Sequence, residues 1–335
     1  MDPIMEPVPD RPSRAFQAVV SFRMPSTSPV PPVAIVGAGA MGTALARGVV
    51  ANGHRVEAVL SRTPASAQAL AKRVDAPVAS AEKRALPNSV RRVLICVPDD
   101  AIVGVAEALA KVDHSWPDTF VAHTSGEKSA AALAPLREQG AATLSFHPLQ
   151  TFTAETPPAA FEDIIVGLQG DDLAVEAGEA LARLLGGRPV RLTAEQKARY
   201  HAAAALASNG LVALLAVVEE LLPEAKEEDD PPAINWVAPL VERTWTHLKR
   251  SSPEGALTGP VARGDQGTVE GHLDALADET PHLVPLYAAL STEMVRVAVR
   301  SGRLSGNQAE TLLDLLRASA DATTDEGHGA SDPSH

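Results

Sequence analysis

The sequence predicts an α/β domain built on a doubly wound, mainly parallel sheet, followed by an all-α domain. Three observations carry this. From residue 33 short β-branched runs alternate with Ala- and Leu-rich helical stretches, a glycine-rich turn joins the first run to the first helical stretch, and beyond Leu192 the strand-like runs stop. Strands are read at 33–37, 55–60, 92–97, 119–123, 141–146 and 163–168. Segments such as AMGTALARGVVANG between them have helical periodicity, so the runs are joined by βαβ crossovers and buried on both faces.

After Leu192 a long run reaches Pro223 without a proline; Thr193 can serve as its N-cap, with Gln196 three residues on completing a capping box. The acidic, proline-bearing segment 226–232 reads as a loop, and further helices are expected at 233–250, 266–278, 281–301 and 306–317. Residues 1–30 carry prolines at 3, 8, 12, 25 and 29 with no sustained periodicity and are expected to be a disordered leader. The polar 318–335 is expected to be a disordered tail, which leaves an α/β domain at 31–192 and a helical domain at 193–317.

A chain of 335 residues is long enough for two cores. Its net charge of −13 argues against a nucleic-acid partner, which would require a basic face. No uninterrupted apolar run reaches the roughly 18 residues of a membrane span, and there is no secretory pattern at the N-terminus. The single cysteine, Cys96, sits inside VLICV as a buried thiol; it excludes an internal disulfide and a cysteine-clustered zinc site, and no metal is expected. A cytoplasmic protein with a small-molecule substrate is the simplest expectation.

Gly37-Ala38-Gly39-Ala40-Met41-Gly42 fits GxGxxG between a strand and an amphipathic helix, the context a dinucleotide-binding loop needs. Gly37 permits the tight turn, Gly39 leaves room for a pyrophosphate, and Gly42 lets helix and strand pack closely. Backbone N–H groups around Ala40 and Met41 would face the phosphates at the positive helix end. At the end of the second strand, where an NAD enzyme places a carboxylate, this chain has Ser61-Arg62-Thr63. A guanidinium and two hydroxyls suit a 2′-phosphate, so NADP (NADPH) is the expected cofactor, with Val97 and Pro98 carrying the chain past it.

In open α/β sheets ligands sit at the carboxyl ends of the strands. The chain leaves those ends through Asp99, a candidate N-cap, through His123-Thr124-Ser125-Gly126 and through His147-Pro148. An imidazole at 147 could exchange a proton with a carbonyl, alcohol or imine while hydride moves. In the long helix Lys197, His201 and Ser208 fall within about 40° of one another at 100° per residue, with Asn209 about 120° away. Lys197 is a candidate anion binder or acid, and Ser125 and His201 candidates for orienting. In the turn 257–265, Thr258 and Arg263 could hold a substrate carboxylate, with Asn209 at the edge; Asp265 could instead serve only as an N-cap.

The segments GAGAMG, VPDDAI, HTSG, SFHPLQTF, YHAAAALASN and ALTGPVARGD, in this order over roughly 33–315, resemble the bacterial Rossmann-like proteins with a DUF2520 C-terminal domain, within the 6-phosphogluconate dehydrogenase-like group. The resemblance implies NADP binding, a helical dimerisation domain and hence a homodimer, and no particular substrate. His147-Pro148 and Ser125 match positions in prephenate dehydrogenases where the histidine contacts the reacting hydroxyl. Lys197 matches the catalytic lysine of ketopantoate reductases, but His201 and Ala205 replace the asparagines that follow it there, so the substrate pocket differs. The leading expectation is an NADP-dependent oxidoreductase acting on a small carboxylated ketone, alcohol or imine. The alternatives are a noncatalytic NADP-responsive binding protein and an F420-dependent NADP oxidoreductase.

Overall fold

The computed structural model describes residues 31–223 and 232–326, so the predicted leader and most of the predicted loop at 226–232 lie outside the described residues. The chain divides into two compact units at Ala205/Leu206, later than the break at 192/193 that the loss of strands suggests. The first helix of the long run therefore belongs with the sheet.

The first unit holds eight strands: β1 (Val33–Val36), β2 (Val56–Leu60), β3 (Val78–Ser80), β4 (Arg92–Ile95), β5 (Phe120–His123), β6 (Ala142–Pro148), β7 (Ile165–Gly170) and β8 (Arg188–Arg191). Their order across the sheet is β3-β2-β1-β4-β5-β6-β7-β8. Every pairing is parallel except β6 with β7, which is antiparallel. Its helices are α1 (Ala40–Ala51), α2 (Pro64–Val74), α3 (Ile102–Ala110), α4 (Ala134–Glu138), α5 (Asp172–Leu184) and α6 (Ala194–Ala205).

Alternation explains the two-sided burial. Val33 and Ile35 of β1 pack on one face with Leu45, Val49 and Phe161, while Ala34 and Val36 pack on the other with Ile102, Leu109 and Leu133. Two strands escape the sequence pattern. β3 is three residues long and half-exposed, and β8 is the polar RPVR, whose Pro189 is tolerated because the strand lies at the sheet edge. β6 also runs two residues past its predicted end. The antiparallel partner continues the ladder through His147↔Gly167 and Pro148↔Val166, so His147 is a strand residue rather than the start of a loop.

The second unit contains α7 (Leu211–Leu221), α8 (Ile234–Arg250), α9 (Pro253–Ala256), α10 (Pro260–Arg263), α11 (Gln266–Glu279), α12 (Val284–Arg300) and α13 (Gly306–Glu326). Val269, Leu273, Val284, Val295, Leu312 and Leu316 form its core. The last helix does not stop near 317. Its apolar stripe continues from Leu312 and Leu316 to Ala320, and the hydroxyls of Ser319 and Thr323 donate to carbonyls of the preceding turn, so a segment read as tail is helical to Glu326. The remaining tail residues lie outside the described residues.

By contrast α7 and α8 bury no residue, and Leu211, Val212, Leu221, Trp236, Leu240 and Trp245 stand exposed. Among the described residues one helical run, 194–221, is long and apolar enough by length and composition to cross a membrane. Polar residues such as His201 and Asn209 interrupt the segment, so it contains no uninterrupted apolar run of that length. Within that run residues 206–210 form a π-helical turn, so the 100° arithmetic that put Ser208 in line with Lys197 fails beyond Ala205.

Candidate active site

Strand order reverses between β1 and β4, and the glycine loop lies at that switch point, beyond the carboxyl end of β1. A Cβ on Gly37 would lie 2.2 Å from the Cys96 carbonyl oxygen, and one on Gly42 would lie 1.9 Å from that of Gly37. Both positions therefore exclude side chains. Gly39 differs: a Cβ there meets nothing within 4 Å, so the glycine opens space. It is also the N-cap of α1 and supplies no side chain to cap it, which leaves the first N–H groups, from Ala40 and Met41 onward, facing that space. Burial pushes the neighbouring Cys96 thiol up to about 12, so it is inert.

Past β2, Ser61 is half-buried, and Arg62 is exposed with no ion pair among the described residues. Thr63 is the N-cap of α2, its Oγ1 accepting from the Ser66 N–H, so its hydroxyl has a structural use as well. Val97 and Pro98 follow β4 as expected.

Asp99 does not cap α3. Its Oδ2 accepts a 2.6 Å hydrogen bond from Ser125 Oγ, which in turn accepts from the N–H groups of Glu127 and Lys128. The Ser125 hydroxyl is thus engaged with Asp99 and with its own loop. His123 is also satisfied within the protein. Its Nδ1 accepts from the Ser125 N–H at 3.2 Å, so Nε2 carries the hydrogen and donates to the Ser129 carbonyl at 3.0 Å. Burial holds this imidazole at about 4.

α6 begins with the capping box its sequence predicts: Gln196 N–H donates to Thr193 Oγ1, and Thr193 N–H to Gln196 Oε1. It places Lys197, Tyr200 and His201 on one face. Lys197 is 1% exposed, and its Nζ donates to Ser145 Oγ at 2.7 Å and to the Ser125 carbonyl at 3.2 Å. Burial lowers it to about 8. The ammonium therefore sits beneath the strand ends as a fixed charge, not as an exposed anion binder. Tyr200 Oη lies 3.1 Å from His147 Nδ1, and its ring packs on Gly167, where a Cβ would come within 3.1 Å of it. Burial raises the phenol to about 12, and burial followed by the Lys197 charge lowers His147 to about 4.

His147 Nε2 and His201 Nδ1 converge. A Cβ on Gly126 would be 2.4 Å from His201 Nδ1 and 2.9 Å from His147 Nε2, and the rings stand edge to face with centroids 6.0 Å apart. His201 Nδ1 is buried and has no hydrogen-bond partner. Only the missing side chain at Gly126 lets them share that space. Tyr200 and Gly126 were not legible as site residues, although the i, i+3 spacing of Lys197 and Tyr200 was available as a signal for the first.

Asn209, Thr258 and Arg263 belong to the second unit. Asn209 is exposed in the π turn, and Thr258 precedes Gly259 (φ 98°) at the start of α10. Arg263 is exposed 3.8 Å from Asp265, which caps α11 through the Thr268 N–H. Among the described residues no group of three or more His, Cys, Asp or Glu side chains is placed to hold a metal.

Residues 25–148 match the Rossmann-like domain family and residues 164–294 match the domain of unknown function DUF2520. The chain thus carries a match to the Rossmann-like domain followed by a match to the DUF2520 domain. The DUF2520 match begins at β7, where the sheet turns antiparallel, so its first part completes the sheet and carries Lys197, Tyr200 and His201. No curated protein matches the chain in sequence. Among solved structures, a proposed NADP oxidoreductase from Bacteroides fragilis is 25% identical over 79% of this chain and 97% of its own, with a TM-score of 0.64. A protein from Thermotoga maritima is 26% identical over 81% of this chain and 100% of its own, with a TM-score of 0.63. A reductive aminase from Aspergillus terreus, solved with NADPH, shares the fold at 20% identity over 90% of this chain and 96% of its own, with a TM-score of 0.55. The fold is that of nicotinamide-dependent oxidoreductases.

Proposed function

We propose that this protein is an NADP-dependent oxidoreductase acting on a small carboxylated ketone, alcohol or imine, with His147 as the group that exchanges the substrate proton. The observation that carries this reading is the meeting of His147 Nε2 and His201 Nδ1 at Gly126, on the carboxyl edge of the sheet that also bears the glycine loop.

The loop fits a dinucleotide pyrophosphate: Gly39 opens the space, and the uncapped start of α1 supplies donors through Ala40, Met41 and Gly42. Ser61 and Arg62 would hold the ribose 2′-phosphate, and no carboxylate stands among Ser61, Arg62 and Thr63 to repel it. The nicotinamide supplies or accepts the hydride. The chain's own contribution is the proton and its placement. At neutral pH His147 is uncharged and Tyr200 keeps its proton. When Tyr200 donates to Nδ1, Nε2 carries the imidazole hydrogen and presents it beside Gly126. Lys197 and the Asp99–Ser125 pair fix the loop and strand ends from below.

Fluorescence titration with NADPH and NADH tests the cofactor assignment. NADPH should bind at least about tenfold more tightly, and Arg62→Ala should remove the difference. Equal binding of both cofactors by the unaltered protein would refute it. A homodimer through the helical unit is part of the same proposal: the apolar side chains left uncovered on α7 and α8 support it, and a monomer in sedimentation equilibrium at micromolar concentration would exclude it.

A further inference from the structure

A cavity of about 330 Å³ lies at the opposite, amino-terminal edge of the same sheet. Its walls are the starts of β4, β5 and β6 and the side of α5, and they are largely apolar: Phe120, Ala142, Leu173, Ala177 and Ala180. Among the polar residues that also line it, with Arg91, Asp118, Thr119 and Glu176, is Arg92, the first residue of β4. Arg92 lines the cavity half-buried, and its side chain has no hydrogen bond or ion pair to any described residue. Burial alone depresses its pKa, with no carboxylate to offset it, and its charge in turn disfavours the protonated form of His54. Arginines drawn partly out of water are ordinarily paired with an anion. The neighbouring Arg91 behaves in the ordinary way, donating to the carbonyls of Asn88 and Val90.

We propose that this cavity is a second ligand site, for a small amphipathic monoanion whose apolar body fills the groove along α5 and whose single anionic head pairs with Arg92. The volume lies at the small end of ordinary ligand pockets. Asp118 and Glu176 also line the cavity, so a second negative charge on the ligand would meet carboxylates; this favours one charge at one end. Arg92, Phe120 and Ala142 are register neighbours, as are Ile95, His123 and Ser145 three residues further along the same strands. The site is thus about 10 Å, three strand residues, from the polar cluster at the carboxyl edge.

The test is a fluorescence titration of the full chain with 8-anilinonaphthalene-1-sulfonate in saturating NADPH, followed by competition with decanoate and with decanol. Saturable binding is expected, weakened at least tenfold by Arg92→Gln and by Ala177→Trp, with decanoate displacing the probe far better than decanol. Arg92→Gln should also leave Tm unchanged or raise it, since it removes a partly desolvated charge that has no hydrogen bond or ion pair to a described residue. Three results would overturn the proposal: no saturable binding, binding that neither variant weakens, or equal displacement by alcohol and acid. The proposal does not depend on the cofactor reading, since the variants lie at the other edge of the sheet.

Discussion

The two edges of strands β4 to β6 handle buried polarity in opposite ways. At the carboxyl edge His123 donates to Ser129 and accepts from Ser125, Ser125 donates to Asp99, and Lys197 donates to Ser145 and Ser125. At the amino edge Arg92 has no hydrogen bond or ion pair to a described residue, in a cavity lined by apolar side chains and by Asp118 and Glu176. A satisfied network costs little to keep and holds its members rigidly, whereas an unsatisfied charge is a standing cost that a ligand can offset. Within the satisfied edge His201 Nδ1 is left buried without a hydrogen-bond partner, close to His147 Nε2 at Gly126, and this exception marks the candidate reaction centre.

The contrast can be broken by experiment. The largest effect is expected from His147→Ala, which should lower turnover by about 10²–10⁴-fold, the range for a lost acid–base group, while cofactor affinity stays the same. Turnover within a factor of two of the unaltered protein would remove His147 from the chemistry. Next in size is a pH effect on stability. His123 and His147 are held at about 4 in the folded chain against an ordinary 6.5, so the unfolded chain binds more protons than the folded one between those values. Their contribution is fully present above about pH 6.5 and is lost as pH falls toward 4, by roughly 3 kcal/mol for each histidine if they act independently. Urea unfolding at several pH values measures it, and a flat profile from 7 to 4 would contradict the assignment.

A smaller effect is expected from Gly126→Ala. The added methyl group would drive the two imidazoles apart, and turnover should fall at least about tenfold with the fold and NADPH affinity intact. Unchanged turnover would show that their convergence is not used. Lys197→Met should raise the pKa of His147 by removing a neighbouring positive charge, read from its imidazole NMR titration, and a lower value would reverse the electrostatic picture. The least change is expected from Arg92→Gln in the absence of added anion, where thermal unfolding should show no loss of stability.

Much of this protein is determined locally. The glycine spacing in GAGAMG, the two-faced apolar strands and the capping boxes are short-range patterns, each with one physical solution. The β1–loop–α1 unit, the alternating order of strands and helices and the start of α6 were therefore readable from sequence. His147, Lys197 and His201 could be nominated from their positions, but their states could not.

Tertiary structure alone decided that Lys197 is buried, that the Ser125 hydroxyl donates to Asp99, and that Tyr200 and Gly126 lie against His147. Each depends on groups 20 or more residues apart meeting across the sheet, as Ser125 and Lys197 do at a separation of 72. The same reason hid the antiparallel β6–β7 pair and the short edge strands β3 and β8. A strand of three or four residues has no periodicity to read, and only its neighbour's hydrogen bonds make it a strand.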